Sequence, residues 1–317
     1  MPSAGTSGGP ALQPTEALGP GIKRICLEYL DRACAALAHP DEGRQAGIHT
    51  ARKAMKRVRA LIRLTRDVVG EEAYRNENAV LRHGAGSVSA VRDRTVMVLT
   101  LERILERHAG SLPPGAFAAL QERLVAAREA ASAQDAAAPA GIVDAHTTLR
   151  SCRRRFAAWA VEGSGAGAVP DDFAAIAPGL ARVYRQGRAR MTAAYQEGTA
   201  GAFHAWRKSA KYFRYHVETL EPLWPEVLGA LARAADLLAE TLGDEHDFAV
   251  LGAALEADPD LVPDQAERRL LAALVAEEQD RLRRAARPLG ERVYAETPDA
   301  FVRRIESYWA AARRHPG

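Results

Sequence analysis

A pattern of histidine and basic residues occurs twice in the chain and is the strongest chemical signal in the sequence. The first copy runs from His49 to Arg59 and the second from His204 to Arg214; both spell H-x-x-R-K-x-x-K-x-x-R, 155 positions apart. Ammonium and guanidinium groups repeated at this spacing can bind phosphate oxygens. The pattern therefore predicts two related anion-binding segments.

Each copy has the periodicity of an α-helix with two distinct faces. At about 100° per residue, the basic side chains of the first copy lie within roughly 80° of His49. The apolar side chains lie on another side, between about 180° and 260°, and the second copy follows the same arrangement. We therefore expect each helix to bury one face and to present a cationic one. The residues expected in the core are Ile48, Ala51, Met55, Val58, Ile62 and Val69 in the first copy, and Phe203, Trp206, Ala210, Phe213 and Val217 in the second.

The cationic faces contain no acidic residues. Residues 48–66 hold seven Lys or Arg side chains and residues 203–216 hold four, with no Asp or Glu in either segment. Like charges at helical spacing repel by a few tenths of a kcal/mol per pair, so ordinary exposed helices mix both signs. One such segment could be a solvated surface, but a repeat in register favours a bound anion. The candidate anion-binding residues of the two copies are His49, Arg52, Lys53, Lys56, Arg59, Arg63, His204, Arg207, Lys208, Lys211 and Arg214.

Two further segments carry basic side chains on one helical face. Arg150 and Arg153 lie in the segment 142–161, and Arg185 and Arg188 lie on the helix that precedes the second copy. We include these four arginines among the candidate anion-binding residues. Their assignment depends on the helical wheel alone, and any channel that they line need not be symmetric.

The composition favours an all-helical protein. Of the 317 residues, 47% are hydrophobic but only 6% are aromatic, and much of the apolar share is Ala, which suits closely packed helices. No segment shows the period-two alternation of a strand, so we predict an all-α fold. No stretch approaches the roughly 20 apolar residues of a membrane span, and the start does not resemble a signal peptide. We expect a cytoplasmic protein that makes no contact with membranes.

Low-complexity segments predict the domain organisation. Residues 1–20 are rich in Gly, Pro, Ser and Thr, which predicts a disordered lead. Residues 163–172 are rich in Gly, Ala and Ser and predict a linker between a first half at 21–162 and a second half at 173–314. Within the second half, Gly243 is the expected end of one helix, and Asp244 opens the next.

The two motif helices and their surroundings resemble the two halves of a CHAD domain, the conserved-histidine α-helical domain, over about residues 22–309. The resemblance implies two similar antiparallel helical bundles related by a pseudo-twofold axis, with a basic central channel. It also implies binding of inorganic polyphosphate and association with polyphosphate granules, without catalysis. Cations at each helical turn would suit a long phosphate chain or another polyanion such as sulfate in a crystal, and binding should depend on salt.

Nucleic-acid binding is the main alternative to this interpretation. Proteins that bind single strands place aromatic side chains among their cations, so that bases can stack on them. Here Phe203, Trp206 and Phe213 fall on the apolar side of the second helix, and only Tyr215 falls near the cations. The sequence therefore argues against nucleic acid as a partner and leaves the alternative open.

A metal-dependent enzyme that processes triphosphate or polyphosphate is the other alternative. His49 and His204 could chelate a metal across the two halves, but no H-x-x-x-H, H-E-x-x-H or cysteine pair accompanies them. Asp93 and Asp247 could be catalytic acids, although positions near predicted helix starts favour capping or holding a basic side chain. Metal-dependent phosphate hydrolysis generally needs clustered carboxylates, and the acidic residues are scattered. We therefore predict no catalytic residue, no metal and no cofactor.

Overall fold

The computed structural model of the chain consists of α-helices and the segments that connect them. It describes residues 9–38, 44–87, 90–137, 140–163, 165 and 167–315, with the backbone alone at 44, 90–93 and 134–137. No β-strand occurs within these ranges, and the predicted all-α fold is confirmed. The helices are α1 (Leu18–Ala38), α2 (Arg44–Leu64), α3 (Arg66–Val69), α4 (Glu71–Gly86), α5 (Ala90–Arg107), α6 (Ala118–Ala137), α7 (Ala140–Ala158), α8 (Ala177–Glu197), α9 (Ala200–Leu220), α10 (Pro225–Ala257), α11 (Gln265–Val293) and α12 (Pro298–Arg314). Single 3₁₀ turns occur at Phe173–Ala175, Glu221–Leu223 and Pro259–Leu261.

The turn before the second motif helix is built from two residues with defined roles. Gly198 ends α8 with a φ of +67°, a conformation that glycine adopts without the steric penalty of a Cβ. Thr199 then caps α9, because its side-chain oxygen accepts a hydrogen bond from Ala202 N at 3.2 Å. This short connection makes α8 and α9 a helical hairpin.

Two hydrophobic clusters hold the helices together. The larger one joins α1, α2, α4 and α7 to α8, α9 and α12, so it takes residues from both predicted halves. The smaller one joins α5 and α6 to the C-terminal part of α10 and the N-terminal part of α11. The two halves of the chain therefore share their buried surfaces. The predicted linker lies between α7 and α8, although Ser164 and Ala166 are outside the described residues.

The predicted apolar faces of both motif helices are confirmed. On α2, Ile48 is 8% exposed and Ile62 is 3% exposed, and the core positions between them are fully buried. On α9 the whole predicted set is at most 2% exposed. Val69 is only half-buried, because α2 ends at Leu64 and Val69 lies on the short helix α3. None of the described helices has the length and apolar character needed to cross a bilayer.

The helices α2 and α9 contact each other near their C-terminal ends. Arg57 Nη1 lies 2.6 Å from Glu218 Oε2. Three residues further along α2, the carbonyl oxygen of Ala60 lies 2.9 Å from His216 Nε2. Positions rise on one helix as they fall on the other, so the two motif helices run antiparallel where they cross.

A third contact at the crossing joins the repeat equivalents of the two residues in the first contact, Arg57 and Glu218. The guanidinium of Arg63 lies 4.4 Å from the centre of the Tyr212 ring. Tyr212 stands 155 positions after Arg57, and Glu218 stands 155 positions after Arg63, which is the spacing of the repeat. The same two motif positions therefore meet twice, with different side chains. The pseudo-twofold relation of the whole halves and the central channel stay predictions.

The predicted helix boundary at Gly243 is wrong, because α10 continues through it from Pro225 to Ala257. Gly243 instead lies beside Arg207, and a Cβ at this position would make an ordinary van der Waals contact with Nε of Arg207 at 3.5 Å. Asp247 consequently lies inside α10 rather than near a helix start. The side chain of Asp93, its predicted counterpart, is outside the described residues.

The predicted disordered lead is also wrong for residues 9–20. Leu12 is fully buried, and its backbone nitrogen donates a hydrogen bond to Thr219 O at 2.9 Å. Arg24 Nη2 donates to Ala11 O, also at 2.9 Å, and α1 begins at Leu18. Local composition missed this segment because its stabilising partners lie on α1 and α9. Residues 1–8 are outside the described residues.

We predict that Gly179→Ala lowers the free energy of unfolding by about 1–3 kcal/mol. A Cβ at Gly179 would lie 2.1 Å from Leu64 O, where α8 packs against the end of α2. This clash outweighs the helix preference of Ala over Gly, which is worth about 1 kcal/mol. Chemical denaturation measures the difference. Gly201→Ala is the control, because its nearest added contact is Thr199 Oγ1 at 4.0 Å, and a similar loss there would contradict the clash.

We also predict a pH-dependent contribution of His216 to stability. Burial lowers the pKa of this histidine from 6.5 to about 4. Between these values the unfolded chain binds the proton and the folded chain does not, so lowering the pH removes up to about 1.4 kcal/mol of stability per pH unit. His216→Gln, which keeps an N–H donor but does not titrate, should flatten this part of the profile. Denaturation at pH 7, 6 and 5 tests it, and parallel profiles for the two proteins would refute the assignment.

Candidate functional site

The arginines of the first motif are held by the helix that faces α2. Arg52 Nη1 donates a hydrogen bond to Ala85 O at 3.0 Å, and Arg59 Nε donates to Asn78 Oδ1 at 2.9 Å. Both partners lie on α4, which runs antiparallel to α2. The first and last basic positions of the motif are therefore fixed against a neighbouring helix of the same half.

The second motif repeats this arrangement on α10. Arg207 lies beside Gly243, and Arg214 forms ion pairs with Asp236 and with Glu218, the latter at 2.6 Å. Asp236 thus takes the place that Asn78 has in the first half. The prediction of cationic faces without carboxylates is wrong at Arg214. Its partner Asp236 lies on α10, and its partner Glu218 lies two residues after the segment 203–216.

The lysines of the two motifs have a different environment from the arginines. Lys53 and Lys208 are exposed and form no ion pair with any described residue, while Lys56 and Lys211, one turn further, are half-buried. The chain contains 38 arginines but only five lysines, and four of the five are these residues. Lys23, the fifth, donates a hydrogen bond to a backbone oxygen at 2.8 Å.

An open groove of about 400 Å³ lies beside Lys53. Arg32 from α1 and Arg57 from α2 contribute two further cations to its wall. The hydroxyl groups of Tyr29 and Thr50 add hydrogen-bonding atoms, and Tyr29 Oη accepts a hydrogen bond from Arg57 Nη1 at 3.0 Å. This groove extends the cationic face of α2 towards α1.

Arg57 and Arg63 both lie at the crossing of α2 and α9. The Arg57 side chain is 9% exposed and pairs with Glu218, which is 17% exposed. Its guanidinium also lies 4.9 Å from the ring centre of Tyr215. Arg63, a predicted anion-binding residue, stacks on Tyr212 and lies 5.6 Å from the Tyr74 ring centre. These arginines are positioned to stabilise the contact between the halves.

The two motif histidines differ in their surroundings. His49 is exposed, whereas His204 is half-buried and stacks on His246 of α10, with ring centres 4.0 Å apart. The pKa of His204 is lowered by burial and then by Lys208, Arg207 and Lys211. Burial, His204 and the same cations lower the pKa of His246 to about 4. Both rings therefore lie in a positive electrostatic environment and are neutral at pH 7.

The four arginines predicted from helical wheels lie elsewhere in the fold. On α7, Arg150 is exposed, and Arg153 forms an ion pair with Asp31 of α1. On α8, Arg185 and Arg188 line a groove together with residues of α11 and α12, and Arg188 donates a hydrogen bond to the backbone oxygen of Glu296. No described contact joins these four to the motif cations.

Sequence reasoning missed several residues around the motif. Glu218 lies two positions after residues 203–216, the acid-free segment of the second copy. A segment extended by two residues would have included this carboxylate, which pairs with Arg57. His246 and Asp236 carry no comparable signal, because both approach α9 from a different helix. Their detection requires the register between α9 and α10.

Comparison with known proteins places the chain in a family. The model of the CHAD domain family matches residues 28–256, and the chain therefore belongs to that family. The crystal structure of the CHAD domain from the plant Ricinus communis is similar to it, with a TM-score of 0.60 and 20% identity over 91% of this chain and 96% of that chain. At this identity the similarity shows the fold. No curated protein matches the chain in sequence.

We predict that Glu218→Gln lowers the free energy of unfolding by at least about 2 kcal/mol, because it leaves the Arg57 charge buried without its carboxylate. Glu291→Gln is the matched control: Glu291 pairs with Arg287 at 3.2 Å on the surface, and both side chains are more than half exposed. Its loss should cost about 0.5 kcal/mol or less. Thermal and chemical unfolding compare the two variants, and equal costs would show that burial adds nothing to the first pair.

Proposed function

We propose that the chain binds inorganic polyphosphate, without hydrolysing it, along the cationic sides of α2 and α9. The observation that carries the proposal is that Lys53 and Lys208 occupy equivalent motif positions, are exposed, and form no ion pair with described residues. The chain belongs to the CHAD family, and the resemblance that implies polyphosphate binding rests on the same motif. Association with polyphosphate granules would follow from this binding.

Lys53 and Lys208 each lie on nearly the same side of their helix as a residue at the crossing of α2 and α9. Lys53 lies seven residues before Ala60, and Lys208 lies seven residues before Tyr215. Seven residues are close to two helical turns, so each lysine is on nearly the same side as the later residue. Ala60 contacts α9 through its carbonyl oxygen, and Tyr215 lies beneath Arg57 of α2. These positions support a binding surface that includes both motif helices.

The placement of the lysines favours a polymer over a single phosphate. Seven residues of helix correspond to about 10 Å, so each exposed lysine lies about that far from the crossing along its own helix. Because the helices are antiparallel at the crossing, the two lysines lie in opposite directions from it. A single phosphate cannot contact both, whereas a chain of phosphates passing the crossing can.

The aromatic side chains near the motifs do not favour nucleic acid. Phe203, Trp206 and Phe213 are buried in the core. Tyr215, which helical periodicity places near the cations, is only 7% exposed. Bases therefore have none of these rings to stack on. A phosphate chain without bases matches this surface better.

The acidic side chains closest to the motifs are engaged by arginines. Glu218 pairs with Arg57 and Arg214, and Glu245 accepts hydrogen bonds from Arg283 at 2.8 and 3.0 Å. Carboxylates held in this way are structural partners of cations, which supports binding without catalysis. Phosphate release from polyphosphate in the presence of magnesium or manganese should accordingly stay at background, and turnover would refute this part of the proposal.

We predict that the double variant Lys53→Glu and Lys208→Glu binds long-chain polyphosphate at least about tenfold more weakly than the unchanged protein. Removing two phosphate contacts should also reduce the slope of log affinity against log salt by about two. The control variant Arg269→Glu and Arg303→Glu alters net charge equally at exposed positions on α11 and α12. Circular dichroism should be the same for all three proteins.

Titration of polyphosphate binding at several salt concentrations gives both quantities. An equal loss in the lysine variant and the control would show that net charge, and not the motif surface, determines binding. Competition with tRNA and single-stranded DNA at physiological salt separates the nucleic-acid alternative, because displacement of polyphosphate at similar concentration would favour it.

A further inference from the structure

A pair of stacked histidines lies at the start of the second motif helix. His204 on α9 and His246 on α10 have ring centres 4.0 Å apart and ring planes tilted by 35°. They continue the antiparallel register in which Arg207 lies beside Gly243 and Arg214 beside Asp236. His246 is not part of the repeated motif, but it shares the cationic surface of α9.

Both cations and carboxylates surround the histidine pair, but two carboxylates beside it are already paired with other side chains. The groups on α9 that lower both pKa values are the cations Arg207, Lys208 and Lys211. Two carboxylates that precede His246 on α10 are engaged by other side chains. Glu245 is fully buried and is held by Arg283 and Gln279 of α11. Asp244 pairs with Arg103 of α5 at 2.9 Å. The charged groups on the packed elements are Arg207, Lys208 and Lys211 on α9, Asp244, Glu245 and Asp247 on α10, Asp280 and Arg283 on α11, and Arg103 on α5.

Stacking makes simultaneous protonation of the two rings costly in the absence of an anion. Two positive rings at 4.0 Å would repel each other and the three motif cations. A bound polyanion supplies negative charge at the same surface and removes much of this repulsion. Protonation and anion binding must then favour each other, because linkage between two ligands is reciprocal.

We propose that His246 is a further anion-contacting residue of this site, and that the His204–His246 pair couples polyphosphate binding to proton uptake. This inference rests on the proposed function. Affinity for polyphosphate rises as the pH falls from 7.5 to 5.5, because the bound form holds more protons than the free form. The second motif then contributes most of the pH dependence, because this is where the stacked pair lies.

The sign of the effect follows from the neutral state of both rings at pH 7. In the free protein the pKa of His246 is lowered to about 4, and burial and the motif cations also lower the pKa of His204 from its ordinary value of 6.5. Binding raises their pKa values, so between the free and bound values each binding event takes up protons. Each proton taken up changes the affinity by up to about tenfold per pH unit.

The test compares polyphosphate binding by the unchanged chain, His246→Gln and His246→Phe at pH 7.5 and 5.5 and constant ionic strength. Gln keeps a hydrogen-bond donor and Phe keeps a stacking ring, and neither titrates, so at least one variant should retain the local packing. His315→Gln, at an exposed position after α12, is the control. Calorimetry in two buffers of different ionisation enthalpy counts the protons taken up.

The unchanged protein and the control should bind about tenfold or more tightly at pH 5.5 than at pH 7.5, with measurable proton uptake. Both His246 variants should lose most of this gain, and at pH 7.5 His246→Phe, which lacks a hydrogen-bond donor, should bind no more tightly than His246→Gln. An equal pH dependence in all four proteins would overturn the inference while leaving polyphosphate binding intact. Absence of binding at either pH would instead overturn the proposed function.

Discussion

The contact between two positively charged helices is the constraint on which the rest of this structure depends. A buried charge without a partner costs several kcal/mol, so the most buried cation at the crossing of α2 and α9 needs a carboxylate. Arg57 is paired with Glu218 there, Arg63 is covered by Tyr212, and His216 is kept uncharged by burial. The exposed side chains of Lys53 and Lys208 lie further along the helices, away from the crossing. The same pair of helices can therefore pack in the core and present cations outside it.

Arginine and lysine divide these two tasks between them. The motif arginines face a neighbouring helix: Arg59 is bonded to Asn78, and Arg214 is paired with Asp236. Guanidinium groups have a fixed fork of donors and suit such defined partners. Lysine is a compact charge on a flexible stem, and four of the five lysines in the chain are in the motifs. The proposed binding of many equivalent phosphates, without one fixed geometry, suits lysine better.

The two halves use one plan with different details. Arg59 has the neutral partner Asn78, whereas Arg214, at the equivalent position, has the carboxylate of Asp236. α4 ends at Gly86 and α5 begins at Ala90, whereas α10 continues through the corresponding region. The repeat therefore preserves the positions of the cations more strictly than it preserves their partners. The stacked histidines show the same difference, because His246 approaches its motif from the uninterrupted helix α10.

The sequence alone determined the properties that depend on spacing along one helix. These are the all-α fold, the duplicated motif, and the apolar faces that bury Met55 and Trp206. Only the tertiary structure decided which cations are neutralised, because Glu218 and Asp236 reach their arginines from outside the segment that carries the pattern. It also decided that Gly243 lies inside α10 beside Arg207 and that Leu12 is part of the core. In each case the deciding contact comes from a residue distant in sequence, and local periodicity contains no information about it.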